Sequence, residues 1–207
     1  MIDDRSWLIF FRELYLGFGL EDQLLERCVK RAYLDFNRTW YGAREAQAIR
    51  SEARTAGAMA IIRALKHLQH SRISQKKFDT WHAQLRRELG RCTDPSDRGN
   101  GLTLGQSQKW INMSIKYVVG GRLEGFSRLE AFAHIPIDRI ILAAMRREPS
   151  LAPVLAYLPD GSWSRLTDET GYEGFQKSLR EKIFPKTPLG FEFHLWMKAQ
   201  KMTNRAT

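Results

Sequence analysis

The chain has 207 residues, 43% of them hydrophobic, and its 33 lysines and arginines outnumber 23 acidic residues to give a net charge of +10. This length suits one substantial core and argues against two independent domains. The sequence has no apolar run of about 18 residues and no signal-peptide pattern, which excludes a membrane-spanning protein and favours a cytoplasmic one.

The first half of the chain is predicted to be helical, because its apolar residues recur at three- and four-residue steps. Asp3 and Asp4 suit the start of a first helix. One long helix, or two abutting helices, is predicted over residues 43–69, which are rich in Ala, Arg, Glu and Leu. The other apolar stripes are Trp7, Phe10, Phe11, Leu14 and Phe18; Leu24, Cys28, Ala32 and Phe36; and Phe78, Trp81, Leu85 and Leu89.

Three segments are predicted to interrupt the helices. Residues 91–101 concentrate Pro, Gly, Asp and Ser and form the clearest loop, and further breaks are predicted at residues 120–121 and 158–161. None of these segments is long enough to link two domains, and no stretch alternates like a strand. The sequence therefore predicts an all-α protein with one domain over residues 1–207.

The charge surplus and the cysteines restrict the class of partner. A net charge of +10 favours DNA or RNA through counterion release, although a generically basic soluble protein has the same composition. Cys28 and Cys92 cannot make a disulfide framework and are expected to be reduced thiols. Neither cysteine has a close cysteine or histidine neighbour in the sequence, so we expect no metal site.

Residues 102–118 are predicted to form a glycine turn that leads into a helix. A turn at a helix N-terminus directs free N–H groups outward and favours an anion such as a DNA phosphate. The candidate DNA-binding residues are therefore Gly105, Gln106, Ser107 and Gln108. The apolar residues Ile111, Ile115 and Val118 are predicted to form the buried face of the helix.

Lys109 is predicted to lie in the opening turn of this helix. A cation there opposes the helix dipole, so helix stability does not explain its position. This favours a functional role, with a solvated lysine as the alternative. A second segment, residues 134–138, leads into another predicted helix. Pro136 imposes an extended conformation before it, and Asp138 is well placed as its N-cap, a role that needs no further function.

Together, the two segments resemble the helix-hairpin-helix superfamily of DNA glycosylases, in which a Gly-x-Gly-x-Lys hairpin precedes an aspartate in a Val-Pro-Val-Asp-like turn. Gly105 matches the first glycine, Lys109 the lysine and Asp138 the aspartate, and the matching core covers about residues 102–145. Ser107 replaces the second glycine. The separation of 29 residues between Lys109 and Asp138 is longer than in most members and is similar to that of the archaeal 8-oxoguanine (GO) glycosylases. The resemblance implies a compact, single-domain helix-hairpin-helix fold.

The archaeal family also has an acid and a tryptophan, four residues apart near the C-terminus, that hold and stack the extruded base. Glu192 and Trp196 match this spacing and would share one helix face. Trp40 lies where the family has another pocket tryptophan, and Met113 takes the place of a stacking aromatic residue. The resemblance implies a substrate-binding role for these four residues, and core packing is the alternative for the aromatic ones.

The resemblance implies a DNA N-glycosylase that extrudes a modified base from double-stranded DNA and excises it. Asp138 would stabilise the positive charge that develops on the sugar and orient the nucleophile. Lys109 would either attack the sugar and form a Schiff base, followed by strand cleavage, or contact DNA while water attacks. This chemistry needs no metal or redox cofactor.

The residues 106–109 and 134–138 also resemble bacterial phage-defence glycosylases that excise α-glucosylated hydroxymethylcytosine. Met113 would leave a roomier pocket wall than an aromatic residue, so this base is the favoured substrate and 8-oxoguanine the alternative. A non-catalytic DNA- or RNA-binding protein, or a helical adaptor for an acidic protein, remains a further alternative. Nothing in the sequence indicates an obligate protein partner, and we expect a monomer.

Overall fold

The computed structural model of the protein describes residues 4–17, 23–40, 47–94 and 101–203. The fold is all-α, as predicted, and these residues contain no strand. The α-helices are α1 (Asp4–Phe10), α2 (Leu24–Leu34), α3 (Gln47–His70), α4 (Gln75–Cys92), α5 (Leu104–Gly120), α6 (Arg139–Arg146), α7 (Ala152–Leu155), α8 (Glu169–Ile183) and α9 (Pro188–Thr203). A π-helical segment, Phe11–Tyr15, follows α1, and the 3-10 segments include Ser127–Ala131 and Trp163–Arg165.

Several predicted boundaries agree with the fold, whereas α4 continues to Cys92, two residues into the loop predicted at 91–101. The long helical pattern at 43–69 forms the single helix α3 from residue 47 onward, and residues 43–46 lie outside the described residues. Helix α5 ends at Gly120 and residues 158–161 are not helical, as predicted. Most of the predicted loop at 91–101 lies outside the described residues. No described helix combines the length and apolarity needed to cross a membrane.

Polar side chains define where the central helices begin. Thr103 caps α5 and forms a capping box with Gln106, in which each side chain accepts a hydrogen bond from the other residue's backbone N–H. Asp138 caps α6 and Asp168 caps α8, each by accepting a backbone N–H three residues further on. These caps fix the first turns of the helices that carry the candidate site.

Helix α5 lies between two hydrophobic clusters. The first cluster joins α2, α3, α4 and α5, and the second joins α6, α7, α8 and α9. Trp163 packs against both clusters. Ile111, Ile115 and Val118 are fully buried, as the sequence predicts. Because nearly every residue of α5 is buried, the polar side chains on this helix must find their partners inside the protein.

A buried polar layer fills the space between α4, α5 and α8. The rings of His82 and His134 lie 4.5 Å apart and are both fully buried. Arg86 donates to His82 Nδ1 (2.6 Å), which leaves Nε2 as the protonated nitrogen that donates to Asn112 Oδ1 (2.7 Å). His134 contacts Tyr172 through Nδ1 (3.0 Å) and Asp79 through Nε2 (2.8 Å).

Burial keeps both imidazole rings neutral. Loss of hydration lowers the pKa of His134 to about 4, although its contact with Asp79 acts in the opposite direction. Burial, together with the neighbouring His134 and Arg86, lowers the pKa of His82 well below its usual range. The hydrogen-bond pattern around each ring therefore applies to the neutral form at physiological pH.

We expect acidification to destabilise the protein through these two histidines. Because their pKa values are lowered on folding, protons bind preferentially to the unfolded chain. Stability is therefore complete above about pH 6.5 and falls as the pH approaches 4. The shift of His134 alone corresponds to about 3 kcal/mol of unfolding free energy over this interval. Urea unfolding between pH 8 and 4.5 measures the effect.

The matched control is the exposed histidine His70. We expect His70→Gln to retain the pH dependence of the wild type, whereas His134→Gln lowers stability at neutral pH and flattens the acid side of the profile. Equal slopes for wild type and His134→Gln below pH 6 would contradict the assignment.

Candidate functional site

Lys109 and Asp138 are brought into direct contact, although 29 residues separate them. Lys109 lies in the second turn of α5, slightly later than the opening turn predicted from the sequence, and Asp138 is the N-cap of α6. Lys109 Nζ lies 2.5 Å from Asp138 Oδ2, while Asp138 Oδ1 accepts the backbone N–H of Ile141 at 2.8 Å. Only 4% of Lys109 is exposed, compared with 18% of the Asp138 side chain. The carboxylate thus caps a helix and pairs with a buried lysine.

The segment that leads to Asp138 is extended and buried, and two glutamine side chains bind its backbone. Gln176 accepts from Ile135 N (3.1 Å) and donates to Ile135 O (3.0 Å). Gln108 accepts from Ile137 N (3.1 Å) and donates to Ile137 O (2.8 Å). Each side-chain amide occupies the position that a neighbouring strand would otherwise take. We call these contacts the amide clamp.

Asn112 connects the amide clamp to the buried histidines. Its Nδ2 donates to Gln108 Oε1 (3.0 Å) and to Ile135 O (3.1 Å), and its Oδ1 accepts from His82. The polar layer therefore extends without interruption from Arg86 to the residue before Asp138.

The prediction that Gly105, Gln106, Ser107 and Gln108 form an exposed phosphate-binding turn is wrong. All four residues are buried within α5, which begins at Leu104. Their N–H groups are also occupied near the helix start: Gly105 N donates to Leu166 O, Gln106 N to the Thr103 hydroxyl and Ser107 N to Thr103 O. A capping box and a neighbouring turn thus satisfy the groups that the sequence assigned to DNA.

Glycine is required at position 105 because the backbone of Trp163 packs closely against it. A Cβ at this position would lie 1.9 Å from the carbonyl oxygen of Trp163. Glycine therefore lets the Trp163–Arg165 segment pack directly on the first turn of α5. The glycine in the motif is explained by this backbone contact, and the glutamine three residues later is explained by the amide clamp.

A second ion pair lies about 10 Å further along α5, seven residues after Lys109. Lys116 Nζ lies 2.9 Å and 2.7 Å from the two carboxylate oxygens of Glu192, and only 2% of Glu192 is exposed. The same ammonium group is 5.8 Å from the centre of the Trp196 ring. Trp196 is 38% exposed and stacks on Phe193. Glu192 and Trp196 thus share one face of α9, as predicted.

The sequence analysis did not identify Lys116. The signal was present in the spacing, because residues 109, 113 and 116 fall on one face of a helix. Met113 lies between the two lysines on this face and is buried in the first hydrophobic cluster. Trp40 is also buried in that cluster, where its ring meets Tyr33 edge to face. Trp40 is therefore part of the hydrophobic core.

A cavity of about 680 Å³ lies against α6 and α7. It is lined by Ile137 and by Leu142 and Arg146, which follow Asp138 at four-residue steps along α6. Its opposite wall comes from residues 158–167. Lys109 and Asp138 do not line it. Among the described residues, no group of three His, Cys, Asp or Glu side chains is placed to hold a metal ion.

Comparisons of the chain with protein-family models, with curated proteins and with solved structures returned no match.

We expect the buried pair of Lys116 and Glu192 to matter for stability. Lys116→Met leaves a buried carboxylate without its cation and should lower the unfolding free energy by about 3 kcal/mol. The double variant Lys116→Met/Glu192→Gln should be more stable than the sum of the single losses by at least about 1 kcal/mol. Urea unfolding of the four proteins completes the cycle.

The exposed pair of Lys198 and Glu148 is the matched control for the buried one. Lys198→Met should cost less than about 1 kcal/mol, because water solvates the remaining carboxylate. A Lys116→Met loss as small as that of Lys198→Met would show that the Glu192 carboxylate does not depend on Lys116.

Proposed function

We propose that this protein is a DNA N-glycosylase that extrudes a modified base from double-stranded DNA and excises it. One observation carries the proposal: the lysine and the aspartate identified by their motif positions lie 2.5 Å apart, with the aspartate at the start of α6. The helix-hairpin-helix resemblance supports the same assignment.

In the proposed reaction, the bond between the sugar C1′ and the base nitrogen breaks and its electron pair leaves with the base. Positive charge then develops on the sugar, and the Asp138 carboxylate stabilises it. When water is the nucleophile, Asp138 accepts a proton as the oxygen bonds to C1′, and an abasic site remains.

Lys109 offers a second route. Its ammonium group contacts Asp138 Oδ2, so the carboxylate is in position to accept a proton and leave a neutral amine. The amine would bond to C1′ as the base leaves and form a Schiff base, from which elimination cuts the strand. In the water route, Lys109 instead orients the Asp138 carboxylate.

The second ion pair supports a base-binding role for α9. Glu192 provides acceptor oxygens for the N–H groups of a base, and the exposed Trp196 provides a ring face for stacking. The Lys116 ammonium group lies against both residues. We therefore add Lys116 to the substrate-binding residues expected from the sequence.

We propose a bulky base, α-glucosylated hydroxymethylcytosine in phage DNA, as the substrate, which makes the protein an antiphage defence enzyme. The cavity lined by Ile137 and Leu142 supports this choice, since its volume of about 680 Å³ falls in the range of pockets that bind drug-sized ligands. Its lining includes Asp160, Ser162 and Arg165, which offer hydrogen bonds to hydroxyl groups. The alternative is an 8-oxoguanine glycosylase with lyase activity.

A non-catalytic DNA-binding protein is the alternative from another class. The net charge of +10 suits both classes, because phosphate binding depends mainly on positive charge. An acid facing DNA repels phosphates, so a binding protein does not need one there, whereas the proposed reaction does. Asp138 also caps α6 and pairs with Lys109, so the activity of an Asp138 variant decides between the two classes.

We expect Asp138→Asn to lower the rate of base release at least about 100-fold and to leave DNA binding equal or tighter. Asparagine caps a helix as well as aspartate does. Because the variant leaves the buried Lys109 without its anion, urea unfolding of Asp138→Asn is measured before the rates are compared. Abasic sites are measured on phage DNA with glucosylated hydroxymethylcytosine, on an 8-oxoguanine duplex and on unmodified duplex. Borohydride trapping of a covalent adduct, absent in Lys109→Gln, would assign the lysine route.

Glu181→Gln is the control, because it removes an exposed carboxylate on α8 and should retain the wild-type rate. Release from 8-oxoguanine DNA alone would move the protein to oxidative repair. If the wild type binds all three DNAs and releases no base from any, the binding-protein alternative replaces the proposal.

A further inference from the structure

We propose that Gln108 is a positioning residue that sets the distance between Lys109 and Asp138. This inference rests on the proposed function, because it assigns Gln108 a role in the reaction of that pair. The glutamine is fully buried and therefore acts through the protein, without touching DNA itself.

The contacts link two pairs of consecutive residues. Gln108 precedes Lys109 in α5, and Ile137 precedes Asp138 before α6. Gln108 binds both polar groups of the Ile137 backbone, at 3.1 Å and 2.8 Å, and Lys109 binds Asp138 at 2.5 Å. Two consecutive residues of one segment thus hold two consecutive residues of the other. The contact of Gln108 with the Ile137 backbone therefore sets the distance between the backbones that carry Lys109 and Asp138.

The extended segment has no other means of satisfying these groups. Ile135 and Ile137 are fully buried, and Pro136 between them has no N–H to donate. Without Gln108, the Ile137 N–H and C=O groups would be buried and unpaired, and the segment would shift to find partners. Because α6 begins two residues after Ile137, such a shift would move Asp138 and the hydrogen bond by which it caps α6.

Gln176 provides a matched comparison within the amide clamp. It makes the same two hydrogen bonds to Ile135, which is two residues further from Asp138. Both glutamines are buried, and methionine has a similar shape. Gln108→Met removes both hydrogen bonds to Ile137 and the donation to Gly105 O. Gln176→Met removes both hydrogen bonds to Ile135, whose carbonyl still accepts from Asn112. The unfolding free energies of the two variants measure this difference in lost support, so that the kinetic comparison can be corrected for it. A positioning role would make Gln108 the more important residue for the reaction.

The test compares Gln108→Met with Gln176→Met on the DNA that the wild type cleaves best. We expect kcat to fall about 100-fold in Gln108→Met, with KM within about threefold of the wild type, because displacement of about 1 Å at a reacting group costs this much. Gln176→Met should stay within about tenfold of the wild-type kcat. A wild-type kcat for Gln108→Met, or equal losses in the two variants, would overturn the proposal.

A second variant keeps the test decisive where Gln108→Met fails to fold. In Gln108→Glu, a protonated carboxyl group reproduces one donor and one acceptor for the Ile137 backbone, whereas the ionised form has only acceptors. Burial raises the pKa of such a carboxyl group. We therefore expect kcat relative to the wild type to rise as the pH falls from 8 to 6. A constant ratio over this range would overturn the proposal.

A measurement without DNA separates this inference from the proposed function. The side-chain ammonium signal of Lys109 in nitrogen-15 lysine spectra is assigned by its loss in Lys109→Arg, and it reports contact with Asp138. We expect Gln108→Met to shift this signal as Asp138→Asn does, and Gln176→Met to leave it near its wild-type position. An unmoved signal in Gln108→Met would overturn the positioning role. A moved signal in a wild type that releases no base would instead reject only the proposed function.

Discussion

The fold depends on one constraint, which is that the backbone polar groups of the buried extended segment at residues 134–138 must be paired. No strand lies beside this segment among the described residues. Side chains from α5 and α8 meet this requirement. The contacts hold the two hydrophobic clusters together, because the segment starts beside the first cluster and ends at the start of α6 in the second. The side-chain amides of Gln108, Asn112 and Gln176 provide the hydrogen-bond partners that this buried backbone requires.

The buried ion pair is best understood as a device for orientation. Removing a lysine and a carboxylate from water is costly, and their attraction rarely exceeds that cost by much. The Lys109 and Asp138 pair is placed where orientation matters most, since the carboxylate also holds the first turn of α6. The Asp138 side chain therefore couples the geometry of the first turn of α6 to the position of the Lys109 ammonium group. This coupling limits the conformations that both residues can adopt.

Much of the fold was accessible from the sequence, and the candidate site was accessible in part. Helical spacing and turn residues predicted the all-α class and most boundaries, and Pro136 followed by an acid two residues later predicted the cap at Asp138. The four residues Gly105 to Gln108 were predicted to bind phosphate because a glycine turn at a helix N-terminus directs free N–H groups outward. Only the three-dimensional packing shows that a polar residue such as Gln108 serves a buried backbone group. The sequence has no marker that separates a solvated glutamine from a structural one.

In the polar layer, the donor and acceptor roles of each side chain are fixed by the preceding one. A guanidinium group only donates hydrogen bonds, so Arg86 fixes which nitrogen of His82 is protonated, and that proton fixes which atom of Asn112 is the oxygen. Asn112 in turn orients the amide of Gln108. A 180° rotation of any one amide would bring two donors or two acceptors face to face. The orientation of the Gln108 amide, whose partner Ile137 precedes Asp138, is thus determined by the guanidinium group of Arg86, which lies several side chains away.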